Sequence, residues 1–198
     1  MVETTKDEEI LEHYRRFIGP EGRKMLVEDL PDEAPNPLYV VKFPAPSEES
    51  DWVYATIGMS RKPMMFPGPG AGIPRYSELL LYSAESYDDL AEFLGNLAAY
   101  PFVQDTFFAP GHTVAGSPGV GVVKGSPLTE ALLTIPYFEP REFEVILHAD
   151  GTHTHMLWVT PIYLSERLLV REHGNMALQQ LFSDHEADVS NLWRPPVV

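Results

Sequence analysis

The chain contains no cysteine. Disulfide cross-links, zinc–thiolate sites and a cysteine nucleophile are excluded together, and a reducing compartment is allowed. Basic residues are also scarce. Only 14 Lys and Arg stand against 29 Asp and Glu in 198 residues, a formal charge of −15. Nucleic acid and anionic membranes are bound through basic patches, so this balance argues against both as partners. Besides keeping the chain soluble, it favours a basic protein, whose approach such a surface steers. No apolar run is long enough to span a bilayer. Residues 1–9 are acidic and polar, without the basic region and apolar core of a signal peptide. A soluble cytoplasmic protein is the expectation.

Catalytic fingerprints are missing as well. There is no Gly-x-Ser-x-Gly elbow, no His-Glu-x-x-His, no phosphate loop and no dinucleotide fingerprint. The run Gly68-Pro69-Gly70-Ala71-Gly72 lacks the Gly-Lys-Ser/Thr ending and the helix start that a phosphate site needs, so it reads as a surface loop. His112 has no serine, cysteine or acid fixed beside it by the sequence. Carboxylates abound, but nothing singles out an acid–base pair. Neither an enzyme nor a cofactor is expected.

What remains is a chain that is 44% hydrophobic and long enough for a sizeable core, read as one domain over 1–198. Its centre is residues 53–61. Val53, Tyr54, Thr56 and Ile57 suit a buried strand, and Gly58 ends it where the backbone must turn. A Pro/Gly-rich loop, 62–74, leads to a second strand over 76–83. Ahead of these, Thr5 and Glu8 form a capping box before Ile10, Leu11, Tyr14, Phe17 and Ile18 at helical spacing. Residues 22–36 read as loop and 38–43 as a strand. Ser86 caps a helix whose buried stripe is Leu90, Phe93, Leu94, Leu97 and Ala98, ending at Tyr100-Pro101. Short strands are expected at Phe107-Phe108 and 120–123, with longer ones at 131–137, 142–149 and 152–163. Helices follow over 166–173, capped by Ser165, and over 176–182. Residues 184–198 form a polar, proline-containing tail expected to be poorly ordered at its end. The class is α+β: a mixed central sheet with packed helices.

One ordered set of residues resembles a known family. Thr56-Ile57-Gly58-Met59-Ser60, Pro63-Met64 and Glu78-Leu79-Leu80-Leu81 are similar to the core signature of the Suppressor of fused domain. Residues 90–100 resemble the helix that follows it. Thr160-Pro161-Ile162-Tyr163, with Glu166, Gly174 and Leu178, resemble its late strand-to-helix junction. The similarity spans about 37–182. It implies a protein-binding module without catalysis. The animal member restrains zinc-finger transcription factors, and stand-alone bacterial members resemble immunity proteins that neutralise a toxin domain. The bacterial layout matches this chain, so a basic toxin is the expected partner, with a regulatory scaffold for a non-toxin partner as an alternative.

Three groups of residues are therefore candidates. Thr56, Gly58, Ser60, Glu78 and Pro161 are the signature. Their polar members either line a site or hold the Gly58 turn, with Glu78 paired to Arg61 or Arg75. Met64, Met65 and Phe66 sit on the 62–74 loop and are candidates for a partner-binding surface. Asp150-Gly151 reads as a two-residue type I′ turn. That register sets His148 opposite His153 with His155 on the same face, a geometry workable for zinc or nickel and the basis of an alternative reading as a metal-binding protein or a small metal-dependent enzyme.

Overall fold

The computed structural model describes residues 5–47, 50–66, 73–117 and 119–198. Helix α1 (Lys6–Phe17) starts with the expected box. Thr5 N donates to Glu8 at 2.8 Å, and Glu8 N donates to Thr5 Oγ1 at 3.3 Å. Its fully buried residues are Ile10 and Tyr14. A strand, β1 (Arg23–Leu26), lies within residues expected to be loop. It is a short outer strand with exposed charges, and it carries no alternation to betray it.

The sheet continues with β2 (Tyr39–Phe43), β3 (Trp52–Ile57) and β4 (Ser77–Ser83), all antiparallel. Then come α2 (Asp89–Val103), β5 (Thr113–Val114), β6 (Glu130–Thr134), β7 (Val145–Leu147) and β8 (His153–Ile162). Helices α3 (Leu164–His173) and α4 (Asn175–Asp184) follow. The eight strands run in the order β1-β2-β3-β4-β8-β6-β5, with β7 also paired to β8. The β4–β8 pair is parallel and the rest are antiparallel.

Helices cover both faces. On one, Tyr54, Leu79, Leu81, Leu133, Leu157 and Val159 pack with Leu90, Leu94 and Ala98 of α2. On the other, Val41, Val53, Ala55, Leu80 and Trp158 pack with Ile10 and Tyr14 of α1. Leu132 and Ile162 meet Val170 of α3 and Leu178 of α4 on that same side. Double coverage explains why β3 and β8 read as continuous apolar runs rather than alternating ones.

Several boundaries differ from expectation. Helix α2 begins at Asp89, without Ser86 as its cap. It also passes through Pro101 to Val103. A proline in a last turn forfeits one hydrogen bond, and Phe102 continues the buried face. Phe107-Phe108 and 120–123 form no strands. Phe108, Val122 and Val123 are buried from loops instead. Helix α3 starts two residues early, at Leu164, with Glu166 reaching back to accept from Tyr163 N at 2.9 Å rather than Ser165 capping it. The segment 142–149 is only partly strand: Arg141–Phe143 is a 3₁₀ turn. In β7, Ile146 points inward, whereas Val145 and Leu147 face solvent.

The tail is the largest correction. Leu192 is buried in the main core, and Ala84 N donates to Ser190 O at 3.0 Å. The buried Arg194 guanidinium forks onto Glu166, both bonds 2.7 Å. Sparse, proline-containing sequence hides such a segment because its order comes entirely from distant partners.

Candidate functional site

Glu78 is the second residue of β4 and has no exposed surface. Gly58 lies just beyond β3 in a left-handed conformation, φ 111°, where a Cβ would meet Pro37 O at 2.6 Å. The 3₁₀ turn Met59–Arg61 starts there. Its backbone N–H groups converge on the carboxylate. Gly58 N and Ser60 N donate to Oε1, each at 3.0 Å, and Met59 N donates to Oε2 at 3.3 Å. Ser60 Oγ adds a bond of 2.7 Å and Thr56 Oγ1 one of 2.6 Å. Thr56 Oγ1 in turn accepts from Leu79 N at 2.8 Å. Burial raises the Glu78 carboxyl above its ordinary range, and the bonds from Thr56, Ser60 and Gly58 offset only part of that rise. No arginine pairs with it. Arg61 binds Asp7 of α1 instead. Four of the five signature residues thus form one closed hydrogen-bond cluster that locks a turn between two strands.

Pro161 lies elsewhere, on β8 opposite Ala131. Its carbonyl accepts from Arg194 Nη2 at 3.3 Å. Tyr163 N and Val197 N also donate to Glu166, at 2.9 and 3.1 Å. This buried pair ties β8, α3 and the tail together, and no motif in the tail announces it.

The three histidines do not converge. β7 and β8 pair Leu147 with His153 and Val145 with His155, one residue away from the expected register. The hairpin loop holds three residues, with Gly151 left-handed at φ 81° and Gly151 N bonded to His148 O. A one-residue shift moves a side chain to the opposite face. His148 therefore points inward, its Nε2 2.8 Å from Thr154 Oγ1 and its Nδ1 against Glu9 of α1. His153 and His155 stay on the outer side. Among the described residues no three His, Asp or Glu are placed to hold a metal ion.

The 62–74 loop divides. Met64 is buried in the main core, its sulfur accepting from Phe108 N at 3.3 Å, so it is not a surface contact. Met65 is exposed, and Phe66 packs edge-on against Phe107. Residues 68–72 lie outside the described residues.

Several open cavities mark the surface among the described residues, and two of them bear on function. One, of about 720 Å³, lies between α2 and residues 115–117 and 119–125 and is lined by Asp89, Glu92, Asn96, Tyr100 and Lys124. The other, of about 440 Å³, has Thr134, Tyr137, Phe138, Trp158 and Glu186 in its lining. The second escaped the sequence reading because it gathers residues from β6, β8 and α4. Among the described residues no helix is long and apolar enough to cross a membrane.

Comparison with known proteins places this architecture. No curated protein sequence matches the chain. A solved structure described as a Suppressor of fused homolog from Neisseria gonorrhoeae FA 1090 superposes with a TM-score of 0.76 at 21% identity, covering 97% of this chain and 96% of that one. The structure of a Sufu–Fu complex gives 0.69 at 12% identity, with coverage of 96% and 91%. Drosophila Suppressor of Fused gives 0.65 at 13% identity. There the match covers 96% of this chain but 50% of the fly protein. The family model described as Suppressor of fused protein (SUFU) matches residues 34–195, beginning after β1 and including the docked tail. The chain belongs to the Suppressor of fused family.

Proposed function

We propose that this protein is a non-catalytic binding module whose partner is a basic toxin domain, neutralised by direct contact. The charge of −15 carries the reading of a basic partner, because so one-sided a surface accelerates encounter with an opposite charge and repels nucleic acid and anionic lipid. Family membership supports the binding role, since one structure of the same fold is a complex of Sufu with Fu. The closed hydrogen-bond cluster around Glu78 supports it too. Its donors are spent on the Glu78 carboxylate rather than aimed at a substrate.

The test is a pull-down with this protein as bait at low and at moderate salt, with captured proteins identified by mass spectrometry. A basic protein is expected, and its capture should weaken as the screening length shrinks from about 30 Å at 0.01 M to about 8 Å at 0.15 M. Expressed alone it should arrest growth, and co-expression with this chain should restore it. Capture indifferent to salt would remove the electrostatic argument. A captured protein harmless on its own would favour the regulatory scaffold instead.

A further inference from the structure

The sheet face that carries α1 is not fully covered. α1 packs over its β2–β4 side, and α3 and α4 pack over β6. Between them Trp158 of β8 and Thr134 of β6 floor the open 440 Å³ pocket. Tyr137 and Phe138 form one wall, their ring centroids 5.5 and 5.0 Å from Trp158. Phe138 is 73% exposed, a large apolar surface left in water without a packing reason. Opposite stands Phe182 of α4, whose ring already carries the Arg194 guanidinium at 4.7 Å. The unoccupied aromatic faces are thus those near Phe138.

The charge at this pocket has one sign. No Lys, Arg or His is among the lining residues, and Glu186 is. The last turns of α1 and α3 carry basic residues, whereas the last turn of α4 carries none. The negative pole of α4 is thus left without a basic side chain in that turn, beside Glu186. An apolar, aromatic cleft with a carboxylate at one end suits a side chain that is apolar along its stem and cationic at its tip. A second copy of this chain would bring another charge of −15 to the same place and is disfavoured.

We propose that this pocket anchors an arginine side chain of a basic partner protein, its stem and planar head against Phe138 and Trp158 and its charge at Glu186. The assignment rests on the reading of a basic partner given above. Arginine is favoured over lysine because its flat, weakly hydrated guanidinium stacks on rings.

The test titrates the ¹⁵N-labelled full chain with a short Gly/Arg peptide and with its Gly/Glu counterpart, followed by NMR. The arginine peptide should shift the Trp158 indole N–H and the amides of Phe138 and Glu186 saturably, and the glutamate peptide should not. Phe138→Ala should weaken binding about fivefold. Glu186→Gln should weaken it and flatten its salt dependence. Both side chains are exposed, so the unfolding temperature should hold. Shifts spread evenly over the acidic surface, or an unchanged affinity in Phe138→Ala, would overturn the assignment. The two readings fail separately. Capture of a basic partner by wild type and Phe138→Ala alike removes the pocket alone. A responsive pocket with no partner captured removes the wider reading, and with it the partner protein, and leaves the pocket's preference for arginine standing.

Discussion

Replacing Glu78 with glutamine probes the turn between β3 and β4 with almost no change of shape. The buried carboxylate accepts three hydrogen bonds on Oε1 and two on Oε2. A glutamine oxygen placed at Oε1 keeps the first three. Its nitrogen, at Oε2, turns an acceptor into a donor. The Thr56 hydroxyl adapts by rotating and accepting. The Met59 N–H has no such freedom and is left facing an amide NH₂ in a site closed to water. One stranded buried donor costs about 1–3 kcal/mol, and the surviving bonds lose their charge assistance. Burying a neutral amide is easier than burying a carboxylate, which offsets part of that loss. The expected balance is about 2 kcal/mol of destabilisation, or roughly 4–8 °C in Tm for a chain of this size. Alanine, which strands all three backbone N–H groups, should cost about 4 kcal/mol or more. Urea unfolding at pH 7, followed by circular dichroism with the slope checked for constancy, measures both. A glutamine variant within about 0.5 kcal/mol of wild type would refute the argument that the Glu78 side chain, with both oxygens accepting, holds this turn.

Arg194→Met strands the Glu166 carboxylate and should cost about 3–5 kcal/mol in a thermal melt, with part recovered by adding Glu166→Gln; equal melts for wild type and the single variant would refute the latch. Burial holds His13 and His155 below the ordinary histidine range, so both stay neutral in the fold at a pH where the unfolded chain already takes up protons. Their contribution is therefore present above the ordinary histidine pKa and declines as pH falls below it; the decline should be shallower in His13→Gln, read from urea midpoints at pH 7.5 and 5.5. Added zinc should leave Tm unchanged, because His148 and the pair His153/His155 lie on opposite sides of the hairpin; a saturable rise in Tm, lost in His148→Ala, would contradict the observed register.

How much of this was legible depended on whether the controlling signal was local. The capping box of α1 is complete within four residues, and the structure has it as expected. The central strand pair was legible because β-branched and aromatic residues cluster between glycine and proline breaks. The hairpin register was not. Asp150-Gly151 favours a two-residue turn, but Ile146 must face the core, and that burial sets a three-residue loop and turns His148 inward. Glu78 was singled out by the signature, yet its partners were misassigned to Arg61 or Arg75. A carboxylate satisfied by three backbone N–H groups leaves no trace in side-chain composition. Arg194, Leu192 and the Trp158 pocket were beyond reach for the same reason: each is defined by residues far apart in the chain.

The strand order carries a consequence for how the chain is made. Strands β1 to β4 form an unbroken antiparallel meander, complete once Ser83 has been synthesised. Among the described strands, its single link to the later ones is the parallel pairing of β4 with β8, which sets Leu79 beside Leu157. On the ribosome the apolar inner edge of β4 must therefore wait, unpaired, while α2, β5, β6 and β7 emerge. Long-range parallel pairing is slow to form, and an open strand edge invites contact with other chains. The vulnerable interval in the life of this protein is its synthesis, between the appearance of β4 and the arrival of β8.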